Sequence, residues 1–238
     1  MDAQSPKQAT DGSIRPGAKT PGANMRRVPY WNQTTDFTCG PSAVMMAMNA
    51  FDPDVGMTRP LEYTLWREAN SVIMRGKGPA GCSPLGLALA AHRRGYEIET
   101  HINHRDAVLA DRARNPKNRE VVEIVFKMDL AELEAEGLSV IHDWPGVAGI
   151  EAKFCEGWLP VVLVSTHFVH GDHTPHWIVV TGFDPDRVYI NDPWISRNKG
   201  QSEIDVTDRP IPRADFNRMA CYGKRKERSV LFLRQRGA

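Results

Sequence analysis

The chain has 238 residues, enough for one substantial hydrophobic core or two small ones. Apolar residues make up 41% and charged residues 25%, an ordinary globular balance. Lys plus Arg number 30 against 29 Asp plus Glu, so no global field points to nucleic acid or to an anionic membrane surface.

Residues 1–25 are rich in Pro, Gly, Ser, Thr and Ala, with few large apolar groups. Such a segment buries too little to offset its ordering entropy and is expected as a disordered tail. A single folded domain is expected from residue 26 to 238. "PSAVMMAMNAF" (41–51) is apolar on nearly all sides and predicts a buried helix, with Pro41 suited to its first turn. Residues 59–76 carry Leu61, Leu65, Trp66, Val72 and Ile73 at helical spacing, with Gly76 as a stop. "SPLGLALAAHRRG" (83–95) opens on Ser-Pro and closes on Gly, a capped helix. "YEIETHI" (96–102) alternates as a strand does. The charged stretch 104–137 predicts two helical pieces broken near Asn115-Pro116, and 147–157 a short helix.

The last third changes character. Segments 159–165, 176–183, 187–193 and 229–234 are Val/Ile-rich strands, the middle two joined as a hairpin by Asp184-Pro185-Asp186. Helices first and antiparallel strands after is an α+β layout. Cys39, Cys82, Cys155 and Cys221 are widely spaced without a C-x-x-C, which favours a reducing compartment over a disulfide scaffold. No apolar run approaches the roughly 18 residues of a membrane helix, and no secretory signal is visible. A soluble, cytoplasmic protein is expected; oligomeric state is open.

Chemistry is suggested first by "QTTDFTCGPSA" (33–43). Cys39 stands at the start of a helix, where the dipole and the unpaired first-turn amides favour a thiolate. Gly40 permits close approach of another chain. Gln33, six residues upstream, can donate its amide beside the sulfur; with the Cys39 N–H it would form a two-donor oxyanion hole. The plainer role of a free cysteine is a small buried hydrophobe. A thiol nucleophile needs a base and the base an orienting acceptor. The hairpin offers both at its outer ends: His176 begins one strand and Asp192 ends the other.

These motifs together, with "HWIVVTGFD" and "VYINDP", resemble the peptidase family C39 of the papain-like cysteine proteases, over about residues 28–234. The likeness is to its stand-alone, cytoplasmic members; the membrane helices and phosphate loop of the transporter-fused forms are missing. The resemblance implies a papain-like fold, with a nucleophile helix in an N-terminal helical part packed on a C-terminal antiparallel sheet. It implies Cys39 as nucleophile, Gln33 as oxyanion donor, His176 as base and Asp192 as its orienting partner. It further implies that Trp194 shields the His–acid bond. The activity implied is that of a cysteine peptidase or amidohydrolase on a peptide or protein substrate, without a cofactor. Acyl or peptidyl transfer by the same thiol, and a non-catalytic peptide-binding module, stay open beside it.

Gly40, Cys82, His173, Trp177 and Trp194 are candidates to line the cleft. Cys82 also precedes a helix but has no glutamine six residues before it. Cys155 and Cys221 read as structural or incidental. His167, His170, His173 and His176 recur every third residue, a spacing that raises transition-metal binding. The tract reads more simply as a loop at the cleft rim, with no metal site. The basic run "GKRKER" (223–228) is short and mixed, and reads as a solvated turn.

Overall fold

The computed structural model describes residues 22–70, 81–113, 115–171 and 173–237. In chain order its elements are β1 (Asn24–Met25), α1 (Cys39–Phe51), α2 (Arg59–Ala69), α3 (Pro84–His92), β2 (Tyr96–Ile102), α4 (Pro116–Ala135), β3 (Val140–Ile141), α5 (Gly146–Cys155), β4 (Leu159–Ser165), α6 (His167–His170), β5 (Pro175–Phe183), β6 (Arg187–Asn191), β7 (Arg209–Pro212), α7 (Arg213–Met219) and β8 (Ser229–Gln235), with three short 3-10 turns between them.

The strands form one sheet in the order β3-β2-β8-β4-β5-β6-β7, with β1 added to β5. All described pairs are antiparallel except β2–β3, which is parallel. This refines the sequence layout: α4 and α5 lie in the chain between the strands rather than before them. Of the expected tail, residues 1–21 lie outside the described residues. Its end does not match the expectation, because Asn24 and Met25 already pair with Phe183 and Gly182. Gly182 is required there: a Cβ would collide with Met25 Sδ and lie 2.7 Å from the Asn24 carbonyl oxygen. The helix expected over 59–76 ends at Ala69; residues 71–80, with its expected stop, lie outside the described residues. Of the two pieces expected over 104–137, the second is α4, capped by the Asn115 side chain with Pro116 in its first turn. The first shrinks to a 3-10 turn at Ala110–Arg112.

The core sits between helices and sheet. Residues 40–48 of α1 are all buried, and α1 packs against β5, β4, β8, α2 and α3. Val44, Met45, Met46 and Met48 are fully buried, each worth about 1.5–3 kcal/mol of apolar burial. A helix apolar on every side belongs in the interior, and α3 is another, with eight of its residues buried. Every residue of β4 is buried, so both faces of the sheet are covered at its centre. Here α1 and α5 both pack on β4, while α7 packs on β6 and β7. The first turn of α1 is thereby fixed against β5, the strand that carries His176.

Candidate active site

The site is built on α1, the β5–β6 hairpin and two loops. Cys39 is the first residue of α1, and its side chain is partly exposed. The N-cap residue, Thr38, makes no side-chain cap, because its hydroxyl turns to Thr35. Pro41 brings no N–H to the first turn. Gly40 lets the turn seat deeply: a Cβ there would lie 2.9 Å from Leu87 Cδ1, 3.2 Å from Trp177 Cδ1 and 3.3 Å from Cys82 Cβ.

The hairpin pairs Val179 with Asn191 and continues through a register shift at Val180–Gly182 to Phe183 and Val188. Asp192 follows β6 directly, so its side chain reaches back to His176 near the start of β5. His176 Nε2 donates to Asp192 Oδ1 at 2.7 Å, with both side chains buried. The Trp194 backbone N–H donates to the same oxygen at 3.0 Å, and the Asp192 N–H to the Val206 carbonyl. On its other side His176 has the Cys39 sulfur as a neighbour, close enough to act on the charge of the ring.

The electrostatics follow from this chain of contacts. Burial works to lower the pKa of His176, but Asp192 and the Cys39 sulfur outweigh it and lift the imidazole from 6.5 to about 10. Burial works the other way on Asp192, yet His176 and His170 hold its carboxyl well below the usual carboxylate range. The arrangement favours a charged imidazolium beside an anionic carboxylate.

Gln33 is buried, and its Nε2 donates to the Thr35 carbonyl at 2.7 Å. The Gln33 backbone N–H donates to the Pro193 carbonyl, tying its loop to the residue after Asp192. Glu62 of α2 organises the same loop from beneath. Fully buried, it accepts from the Thr34 N–H (2.8 Å), Thr34 Oγ1 (3.0 Å), Trp31 Nε1 (3.2 Å) and Ser42 Oγ of α1 (3.3 Å). One carboxylate thus ties the glutamine loop to α1. No local sequence signal marks Glu62 among the other acidic residues.

A cleft of about 1450 Å³ has Gln33, His167, His170, His173, His176 and Trp194 on its wall, with Arg112, Cys221 and Tyr222 among the other lining residues; Cys39, Asp192 and Glu62 are not among them. His173 and Trp194 line this cleft. Gly40, Cys82 and Trp177 do not: they are buried behind the first turn of α1, and Trp177 Nε1 donates to the Cys82 carbonyl. Cys82 fills core space, and burial followed by the nearby Cys39 pushes its thiol pKa well up. Cys221, read as incidental, is on the cleft wall.

The histidine tract is not a plain loop. Residues 167–170 form the single helical turn α6, closed by Gly171 at φ 82°, a conformation that favours glycine. Its rings divide into two pairs. His167 and His173 stack at 4.3 Å between centroids, whereas His170 and His176 both reach Asp192. Among the described residues, His170, His176 and Asp192 are the one group whose ligand atoms lie close enough to hold a metal ion. Their N–H groups already donate to the carboxylate, and the four histidines do not converge as a structural zinc site requires.

A helix-borne thiol facing a buried His–Asp pair, on an α+β scaffold with a seven-strand path, has the architecture of the papain-like class. A profile of the Peptidase_C39 like family matches residues 28–234, and the chain belongs to that family. Its fold is similar to that of a candidate C39-like peptidase from Bacillus anthracis, at 12% identity and a TM-score of 0.55, covering 91% of this chain and 99% of that one. Weaker likenesses reach a double glycine motif protease from an AMS/PCAT transporter solved with its leader peptide (16% identity, TM-score 0.44, 89% of this chain and 94% of that one). They also reach the peptidase domain of Streptococcus ComA, a bi-functional ABC transporter (14%, 0.47, 88% and 100%). Those two TM-scores are too low to carry an argument. No curated protein matches the chain. Among the described residues, no helix is long and apolar enough to cross a membrane.

Proposed function

We propose that the protein is a cysteine peptidase or amidohydrolase acting on a peptide or protein substrate. The observation that carries the reading is the buried His176–Asp192 pair, bonded at 2.7 Å, with Cys39 at the start of α1 near enough to act on the imidazole. The Cys39 thiolate attacks the substrate carbonyl carbon, and the carbonyl π electrons move to oxygen. The Cys39 N–H and Gln33 stabilise that oxyanion; Gln33 Nε2 keeps one hydrogen for it beyond the bond to Thr35. Collapse of the tetrahedral intermediate breaks the C–N bond, and the His176 imidazolium gives its proton to the leaving amine. Neutral His176 then takes a proton from water as the water attacks the thioester. The second collapse frees the acid and restores the imidazolium–thiolate pair. Asp192 fixes the imidazole orientation and supports its charge throughout.

A peptide-library cleavage assay tests the reading. Wild type is expected to give defined cleavage products and Cys39→Ala none. Equal cleavage by both proteins sinks the mechanism. Addition of an amine acceptor to the same assay distinguishes hydrolysis from transfer by the product formed.

A further inference from the structure

A second imidazole occupies the carboxylate oxygen that the reaction scheme leaves unused. His170 Nε2 donates to Asp192 Oδ2 at 2.9 Å, and the His170 side chain is only 6% exposed. A carboxylate only accepts, so Nε2 carries the hydrogen. The other nitrogen, Nδ1, lies 3.1 Å from Ser196 Oγ, whose hydroxyl donates to it in the neutral imidazole. The Ser196 backbone is itself held, its N–H donating to Gln201 Oε1. Two partners on opposite sides fix both the tautomer and the plane of the ring.

The chain is shaped to deliver His170 there. Residues 166–174 leave β4 and return to β5, pinched at the base by Thr166 and Thr174. The Thr166 N–H and hydroxyl donate to the Thr174 carbonyl, and the Thr174 N–H donates to Thr166 Oγ1. The pinch turns α6 back over the start of β5. The His170 and His176 rings meet edge to face, 5.9 Å apart at 88°.

We infer that His170 is a positioning residue, which holds Asp192 Oδ2 so that Oδ1 stays on His176; this rests on the reading of Cys39 and His176 above. A carboxylate bonded on one oxygen only can turn about its Cα–Cβ and Cβ–Cγ bonds. Here three donors share it: His176 Nε2 and the Trp194 N–H on Oδ1, His170 Nε2 on Oδ2. Titratable groups around the pair include Cys39, beyond His176, Tyr30, whose phenol burial and then Asp192 keep protonated, and Lys199, whose Nζ donates to the His170 carbonyl. Removing the His170 donor leaves a buried oxygen unpaired and loosens the support of the imidazolium, hence of the thiolate.

The test is Cys39 alkylation by iodoacetamide from pH 4 to 10, followed by peptide mass analysis, in wild type, His170→Leu, His170→Gln and Ser196→Ala. Where a cleaved peptide is known, kcat and KM are measured alongside. His170→Leu is expected to slow alkylation near pH 6 and to lower kcat by about ten- to a hundredfold, with KM within about threefold. His170→Gln, which keeps a side-chain donor, is expected to recover most of both. Ser196→Ala is expected to show a smaller loss in the same direction, about two- to fivefold. Unchanged alkylation in a folded His170→Leu protein overturns the inference, as do equal losses in the Leu and Gln variants. If His170→Leu does not fold, an unchanged low-pH limb in Ser196→Ala overturns it. The alkylation arm needs no substrate, so absence of peptide cleavage by the wild type would refute the proposed function while leaving this test intact.

Discussion

Two cysteines stand at two helix starts, and their surroundings separate them. Cys39 is inside α1 as its first residue, at an end that no side chain caps. Cys82 lies two residues before α3, outside the N-cap Ser83, whose hydroxyl accepts the Gly86 N–H at 3.0 Å. Cys39 is partly exposed beside an imidazole; Cys82 is buried, with its carbonyl bound to Trp177. Cys82 packs behind Gly40, the residue next to Cys39, and burial pushes the Cys82 thiol pKa well up. A helix N-terminus by itself does not make a nucleophile. It needs an open first turn and a charged partner on the solvent side.

The sharpest break of this contrast is in activity. Cys39→Ala should reduce turnover by about a thousandfold or more, and Cys82→Ala should leave it within about threefold. Comparable losses in both variants would erase the distinction. Chemical labelling of the native protein comes next. Iodoacetamide should modify Cys39 at least about a hundredfold faster than Cys82 at pH 6. That advantage should hold across the range below about 10 in which His176 keeps its proton. Equal rates would place both sulfurs in the same environment.

Packing gives the third test. Gly40→Ala must push apart α3, Trp177 and the first turn of α1, at an expected cost of about 1–3 kcal/mol in urea unfolding. Its activity should fall further than its stability predicts, because the displaced turn carries Cys39. The smallest effect belongs to the cap that closes the other helix. Ser83→Ala should cost about 1 kcal/mol and leave Cys39 labelling unchanged.

The legible parts of this molecule were those with short-range causes. The α1 and α3 helices were visible because both are apolar all round and start with Pro in the first turn. The hairpin was visible through its Asp-Pro-Asp turn; Asp184 does accept from the Asp186 and Arg187 N–H groups. That turn fixes which residues share the hairpin's open end, and so put His176 and Asp192 together on paper. Glu62 was illegible because its partners are Thr34 and Ser42, 28 and 20 residues away, and a buried carboxylate looks like a surface one in sequence. His170 lay in view as part of a regular histidine tract. The three-residue period suggested a common ligand, whereas the fold sends alternate rings to different partners. Trp177, a candidate to line the cleft, is buried instead. Neighbouring strand residues face opposite sides, so Trp177 turns into the core.

The position of β8 governs when the molecule can come together. It is the last described strand in the chain, yet it lies between β2 and β4 in the sheet. It pairs with β2 from Tyr96↔Gln235 to Ile102↔Ser229, and with β4 from Leu159↔Leu233 to Val162↔Val230. Until residues 229–235 leave the ribosome, β2 and β4 have no strand between them, and the sheet floor beneath α1 and α3 is missing its middle plank. Closing that gap joins segments more than 120 residues apart, a non-local step that sets a slow clock for folding. Residues 229–235 must therefore emerge before Cys39 can be seated over a closed sheet, so the site forms late and all at once rather than piecemeal.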